Sequence, residues 1–139
     1  MFDPLVASMR TAASGLQTQS QRIKVVSENL ANLDSTGKTP GSDPYRRKLV
    51  TFQSAMDEVS GAEMVAVDRV IHDPAGFRTE YRPGDPAADA KGYVKLPNVN
   101  MITEVTDMRE ANRSYEANLQ VIKQARDMIS MTIDLLKGA

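Results

Sequence analysis

The apolar positions of this chain form two long helical stripes separated by an irregular middle. The C-terminal stripe is the longer. From Asn100 onward there is no Pro, and no Gly before Gly138. Met101, Val105, Met108, Asn112, Tyr115, Leu119, Ile122, Ile129, Ile133 and Leu136 recur at alternating steps of three and four, with Arg126 the one charged residue in the series. A 3.5-residue repeat held this long is the pattern of one helix wrapped on another, since a drifting 3.6 period would carry the stripe away from its partner. Such a helix extends roughly 55 Å at 1.5 Å per residue, more than a small domain buries along its length. It requires a partner helix.

The other end of the chain supplies one. Leu5, Met9, Ala12, Leu16, Gln19, Ile23, Val26, Leu30 and Leu33 repeat the alternation. Asp3 suits the N-cap and Pro4 the first helical position, where a missing N–H costs nothing. Gly37, after Asp34-Ser35-Thr36, marks the expected stop. The fold expected is mainly α with a small β insert: a long antiparallel hairpin of N- and C-terminal helices, of coiled-coil type, carrying a short β-rich middle region. The expected division is an N-terminal helix over 1–36, an insert over 37–99 and a C-terminal helix over 100–139.

The N-terminal helix carries a second message on its far side. At 100° per residue the positions opposite Met9 and Ala12 are Ala7, Thr11, Ser14, Thr18, Gln21 and Val25, none of them charged. A solvated helix face is rich in Lys and Glu, whereas interface cores are depleted of charge. These six residues are therefore expected to form an outer face against neighbouring subunits, and Thr11→Glu or Thr18→Glu to leave the subunit soluble while blocking its assembly.

Six of the seven prolines and five of the eight glycines lie between Lys38 and Val99. Clusters such as Asp73-Pro74-Ala75-Gly76 and Pro83-Gly84-Asp85-Pro86 are turn chemistry. Between them, Tyr45–Phe52, Glu63–His72, Phe77–Arg82 and Tyr93–Leu96 have strand character, and the Asp73–Gly76 turn predicts a hairpin between the second and third. This insert has too few large apolar residues to be stable alone.

Charge excludes one class of function. Seventeen basic residues face eighteen acidic ones, balanced along the chain, so there is no basic excess for nucleic acid. No run approaches the roughly 20 apolar residues of a spanning helix and no signal-peptide pattern opens the chain, so neither direct membrane insertion nor conventional secretion is expected. Without cysteine there is no disulfide, thiol nucleophile or Cys-ligated metal. His72 stands alone and reads as a turn residue. Glu104, Asp107 and Glu110 sit in the first turns of a helix, where carboxylates offset its dipole. Arg46-Arg47-Lys48 reads as strand-edge charge. The methionines are filler for seams and interfaces. No phosphate loop, nucleophile elbow or carboxylate pair is present. Neither an enzyme nor a cofactor-binding or metal-binding protein is expected.

Four stretches then carry a resemblance. Ser27-Glu28-Asn29-Leu30-Ala31-Asn32 followed by Ser35-Thr36-Gly37 resembles the N-terminal signature of the axial proteins of the bacterial flagellum, the rod and hook subunits. Asp43 to Lys48 (DPYRRK), Gly92 to Asn100 (GYVKLPNVN) and Thr106 to Leu119 (TDMREANRSYEANL) resemble the proximal rod proteins of C type within that family. The wider group reads Asn-Thr-Pro-Gly-Tyr where this chain has Asp34-Ser35-Thr36-Gly37-Lys38, with Pro40 and Tyr45 displaced downstream, a departure that fits the C type. The resemblance implies a structural subunit of the periplasmic rod in the flagellum basal body, polymerising through its terminal helices into the drive shaft and enclosing the export channel. It implies export by the flagellar type III apparatus. The partners implied are the other proximal rod proteins (B and F types), the rod–ring adaptor protein, the distal rod protein and copies of itself. The rival readings are a cytoplasmic coiled-coil scaffold or adaptor, which would explain the stripes but not the insert, and a small α+β enzyme or ligand-binding domain, which would need a pocket of convergent polar groups.

Overall fold

The structure is a computed structural model that describes residues 3–138, so the expected bounds at residues 1 and 139 fall outside it. Two long helices, α1 (Pro4–Ala31) and α2 (Met101–Lys137), pack against each other, and four strands lie between them in the chain: β1 (Lys48–Met56), β2 (Glu63–His72), β3 (Arg78–Tyr81) and β4 (Tyr93–Leu96). The fold is thus mainly helical with a small β insert, as the two stripes require. The carboxylate of Asp3 accepts the N–H of Leu5 at 2.9 Å, the cap expected ahead of Pro4. Asn100 does the same for α2, its Oδ1 taking the N–H groups of Ile102 and Thr103.

Helix α1 ends at Ala31, six residues before Gly37. Asn32 stops it: its side-chain amide donates to the Glu28 carbonyl at 2.8 Å, and its Oδ1 accepts from Ser35. A side-chain amide that satisfies a terminal carbonyl ends a helix without a glycine. Gly37 has a different task. A Cβ there would lie 2.0 Å from Ser42 Oγ, so the glycine lets the 37–42 loop close on itself.

The strands pair otherwise than the turn chemistry suggested. Strand β2 pairs with β1, and β3 with β4, in two separate two-stranded sheets. The expected β2–β3 hairpin is absent because the Asp73–Gly76 turn is drawn aside. Asp73 keeps its N–H on the Arg47 carbonyl. The carbonyls of Asp73 and Ala75 are taken by Arg46 Nη1 and Asn98 Nδ2, leaving neither for a β3 partner. Strand β3 instead runs antiparallel to β4 with Arg78 opposite Leu96 and Tyr81 opposite Tyr93. The β1–β2 connection closes at Gly61, whose φ of 64° lets its N–H reach the Asp57 carbonyl while the Asp57 N–H reaches Ala62. That is a glycine bulge, available to L side chains only at a strain.

The chain divides into two compact units. Among the described residues the first comprises 3–23, 51–69 and 109–138. In it the two helices run antiparallel: Gly15 faces Asn118, and further along α1 Arg22 reaches back to Glu110 at 3.3 Å. A Cβ on Gly15 would lie 2.6 Å from the Asn118 amide, so the glycine sets how closely the backbones approach. Its buried residues are small: Ala12, Gly15, Thr18, Ser60, Ala62, Ala111 and Ala125. The second unit comprises 24–50 and 70–108. Val25, Val26, Val94, Leu96, Pro97 and Val99 form its apolar core, with Asn29 and Glu104 buried among them.

Candidate functional site

The most buried polar residues of the second unit meet in one joint. Asn29 on α1, about 1% exposed, satisfies all four of its amide positions. Its Nδ2 donates to the Lys48 carbonyl and to Glu104 Oε2, and its Oδ1 accepts the Tyr45 hydroxyl and the Lys48 N–H, each at 2.9 Å. Glu104, with no exposed surface, takes Arg47 Nε at 2.5 Å on its other oxygen. Arg47 also reaches Asp73 and Asp107 at 3.3 Å. Asn98 completes the set, accepting the Arg47 N–H at 2.7 Å. A buried polar network stabilises only if every member is paired, and this one is.

The joint gathers the family motifs. Asn29 comes from the first motif, Tyr45, Arg47 and Lys48 from the second, Asn98 from the third, and Glu104 and Asp107 from the start of α2. It fixes the segments leading into and out of the insert to both helices. Of the remaining motif residues, Glu28 pairs with Lys48 at 2.9 Å, Leu30 is half-buried, and Ser27 and Ala31 are exposed.

The charges respond accordingly. Burial opposes the Arg47 charge, but its bonds to Glu104 and Asp73 outweigh that and hold its pKa above the ordinary value. Burial raises the Tyr45 hydroxyl. The Ala75 N–H, and after it Arg47, holds Asp73 below the usual carboxylate range. A carboxylate depressed by folding contributes stability that is complete above its unfolded pKa, near 4, and is lost as pH falls through its folded value. Acid unfolding followed by circular dichroism is expected to begin below about pH 4, and Asp73→Asn to flatten that acid limb; an unchanged limb would remove Asp73 from the joint's energetics.

The helical seam is displaced by one residue from its expected centre. On α2 the buried positions are Glu104, Ala111 and Ala125, while Val105, Met108, Tyr115, Leu119, Ile122 and Ile129 are half-buried and Met101, Asn112, Ile133 and Leu136 exposed. The inner line is therefore 104, 108, 111, 115, 118, 122, 125 and 129, still a four-three repeat but centred on small residues. Close approach at Gly15 puts alanines at the middle and turns the large side chains to the flanks, so Asn112 looks outward. On α1, Ala12 and Val26 are buried and Leu5, Met9, Leu16, Ile23, Leu30 and Leu33 half-buried, the last beyond the helix end.

The uncharged outer face of α1 has an occupant within the chain. Thr18 is 2% exposed and Val25 4%, Ala7, Ser14 and Gln21 are half-buried, and Thr11 is exposed. Thr11 donates to the Glu63 carbonyl at 3.0 Å, Ser14 accepts the Val65 N–H at 3.2 Å, and Thr18 Oγ1 lies 3.1 Å from the Val65 carbonyl. Strand β2 thus explains the missing charge at Thr11, Ser14 and Thr18 without a neighbouring subunit. It also changes what Thr18→Glu would do: the carboxylate would be buried in the subunit itself, not at its boundary.

The far end of α2 has no such occupant among the described residues. Extended one residue for one residue from the Gly15–Asn118 contact, Pro4 stands opposite the turn around Ile129. Residues 130–137 continue beyond α1, all exposed. The inner line continues there as Thr132 and Leu136, with Met131, Ile133 and Leu135 beside them, Leu135 and Leu136 each 76% exposed. An apolar stripe left in water at the end of a helix marks an interaction surface.

A helix pair keyed to a small β insert by a buried polar joint, with one helix end left apolar and open, defines a structural assembly subunit. The chain belongs to the flagellar basal-body rod protein family. The family described as "Flagella basal body rod protein" matches residues 9–37, and "Flagellar basal body rod FlgEFG protein C-terminal" matches residues 90–135. The chain is 60% identical over 138 residues to the flagellar basal-body rod protein FlgC of Agrobacterium fabrum, covering 99% of each. It is 44% identical over 125 residues to FlgC of Escherichia coli O157:H7 (89% of this chain, 92% of that one). With FlgC of Borreliella burgdorferi the identity is 34% over 151 residues, covering 96% and 99%. The chain is a structural rod subunit of the flagellar basal body.

Proposed function

We propose that this chain builds the proximal part of the rod by adding through its terminal helices, with the α2 end completing its apolar stripe on a neighbouring subunit. The open stripe of Met131, Ile133, Leu135 and Leu136 is the observation that supports this reading. The C-type names of its relatives support the proximal position. In this reading the helices line the shaft that transmits torque and encloses the export channel, and the subunit arrives by the flagellar type III route. Its neighbours are B- and F-type proximal rod proteins, the rod–ring adaptor, the distal rod protein and copies of itself.

Leu135→Glu with Leu136→Glu tests it. Both side chains are exposed in the subunit, so its melting temperature is expected to change by no more than a degree or two. In the assembled rod two carboxylates would be buried without partners, and incorporation into basal bodies is expected to fall below detection. Normal basal bodies from the double variant would show that this stripe faces solvent in the rod.

A further inference from the structure

The β1–β2 sheet has two lateral edges, and the chain treats them oppositely. On the β2 side three outward backbone groups, Glu63 C=O and both groups of Val65, are each satisfied by a hydroxyl of Thr11, Ser14 or Thr18 on α1. These three residues, spaced three and four apart, cap that edge in a row at its Glu63–Val65 end. On the β1 side the Asp57 N–H points inward to Ala62, so by the two-residue alternation of a strand the N–H and C=O groups of Phe52, Ser54 and Met56 point away from β2. Among the described residues no side chain caps them.

Natural edge strands are blunted by Lys, Pro, shortness or a cover, because a bare row of donors and acceptors recruits another strand. Strand β1 has nine residues, and from Leu49 to Met56 it holds neither a charge nor a proline. Phe52 and Met56 also present apolar side chains on one face, 40% and 73% exposed. A chain that sets three hydroxyls on the Glu63–Val65 end of one edge and leaves the facing end of the other bare and uncharged has an edge reserved for pairing.

We propose that the β1 edge from Phe52 to Met56 pairs with an extended strand of another polypeptide in the assembly, in the manner of β-augmentation. The charge around it specifies the partner. Asp57, Glu58 and Glu63 cluster at the Met56 end, where Arg10 is bound to Asp57 at 2.7 Å. The partner strand is therefore uncharged along its middle and carries a Lys or Arg beside Met56. Backbone pairing supplies affinity there, and the acidic end sets which way the strand lies.

The test uses the full chain in a deletion strain, complemented with wild type, Ser54→Pro or Met56→Lys. Proline at 54 removes an outward N–H and no β1–β2 backbone bond, and with it only the exposed Ser54 hydroxyl bond to Glu63 Oε1 at 2.6 Å. Lysine at 56 neutralises the acidic end and repels a basic partner. Both purified variants are expected to melt within a few degrees of wild type. Incorporation into basal bodies is expected to fall about tenfold or more, the loss that one interfacial backbone hydrogen bond left unmade produces. Should one variant fail to fold, the other decides. Wild-type incorporation by either folded variant overturns the proposal. The assay rests on the rod reading, and the deletion itself checks that separately: a deletion strain that still completes its basal bodies would strike at the rod reading and not at the edge.

Discussion

Glu104→Ala is expected to cost the folded subunit about 3 kcal/mol, with a fall in Tm on the order of 10 °C. The carboxylate has no exposed surface and holds Asn29 on one oxygen and Arg47 on the other. Removing it leaves an amide donor and part of a guanidinium buried without acceptors. Breaking a buried pair from one side typically costs about 3–5 kcal/mol. The lower figure applies here because Arg47 keeps Asp73 and Asp107 and retains some contact with solvent. The magnitude separates this role from the simpler one. A carboxylate that only offsets the dipole in the first turn of α2 is worth about 0.3–1 kcal/mol. Glu104→Gln should fall between, since one amide oxygen can serve one donor while its NH2 group confronts the other. Equilibrium denaturation of the three proteins gives the ranking directly. A loss below 1 kcal/mol for Glu104→Ala would place the joint outside the stability of the fold.

Ala111→Asp is the second large effect expected. Ala111 is wholly buried on the inner line of α2, in the unit where Gly15 brings the helices close. An aspartate there must be buried without a partner or force the helices apart, at several kcal/mol. Leu119→Asp, on the flank of the same seam, is half-exposed and can turn its carboxylate to water, so its cost should be about 1–2 kcal/mol. Incorporation should follow the same order, with Ala111→Asp losing the rod and Leu119→Asp impairing it. A seam centred on Val105, Asn112 and Leu119 would give the reverse order.

That comparison shows where the sequence was legible. A four-three repeat announces a helix pair and its length, because only a sustained stripe can stay in contact with a partner. It does not fix which of two adjacent lines lies innermost. Met108, Tyr115, Ile122 and Ile129 belong to both lines, and the choice between Ala111 and Asn112 rests on how closely the backbones approach, which a glycine on the other helix decides. Large side chains mark the stripe, but small ones mark its centre. The strands were legible as elements, with β2 and β4 falling on their expected bounds. Their pairing was not, because it depends on Asn98 and Arg46 claiming the turn carbonyls from distant parts of the chain.

The joint was the least legible feature. Each member has a sufficient local explanation: Glu104 beside a helix start, Arg47 in a basic run, Asn29 in a polar helix end. Only their meeting is informative, and it joins residues up to 75 apart in sequence. One signal was available. Glu104 lies on the inner line of α2, where a charge is costly unless an opposite charge answers it, and DPYRRK holds the one run of consecutive basic residues in the sequence. The outer face of α1 illustrates the converse. Its lack of charge predicts a contact with neighbouring subunits, whereas strand β2 lies against Thr11, Ser14 and Thr18, because the composition of a helix face cannot distinguish a strand of its own chain from a neighbouring molecule.

The most direct measurement is a density map of the isolated basal body that resolves side chains in the proximal rod. The account predicts this chain within the rod, its α2 residues 130–137 packed along a neighbouring subunit with Ile133, Leu135 and Leu136 out of water. Density that left this helix end surrounded by solvent would contradict the account at its centre.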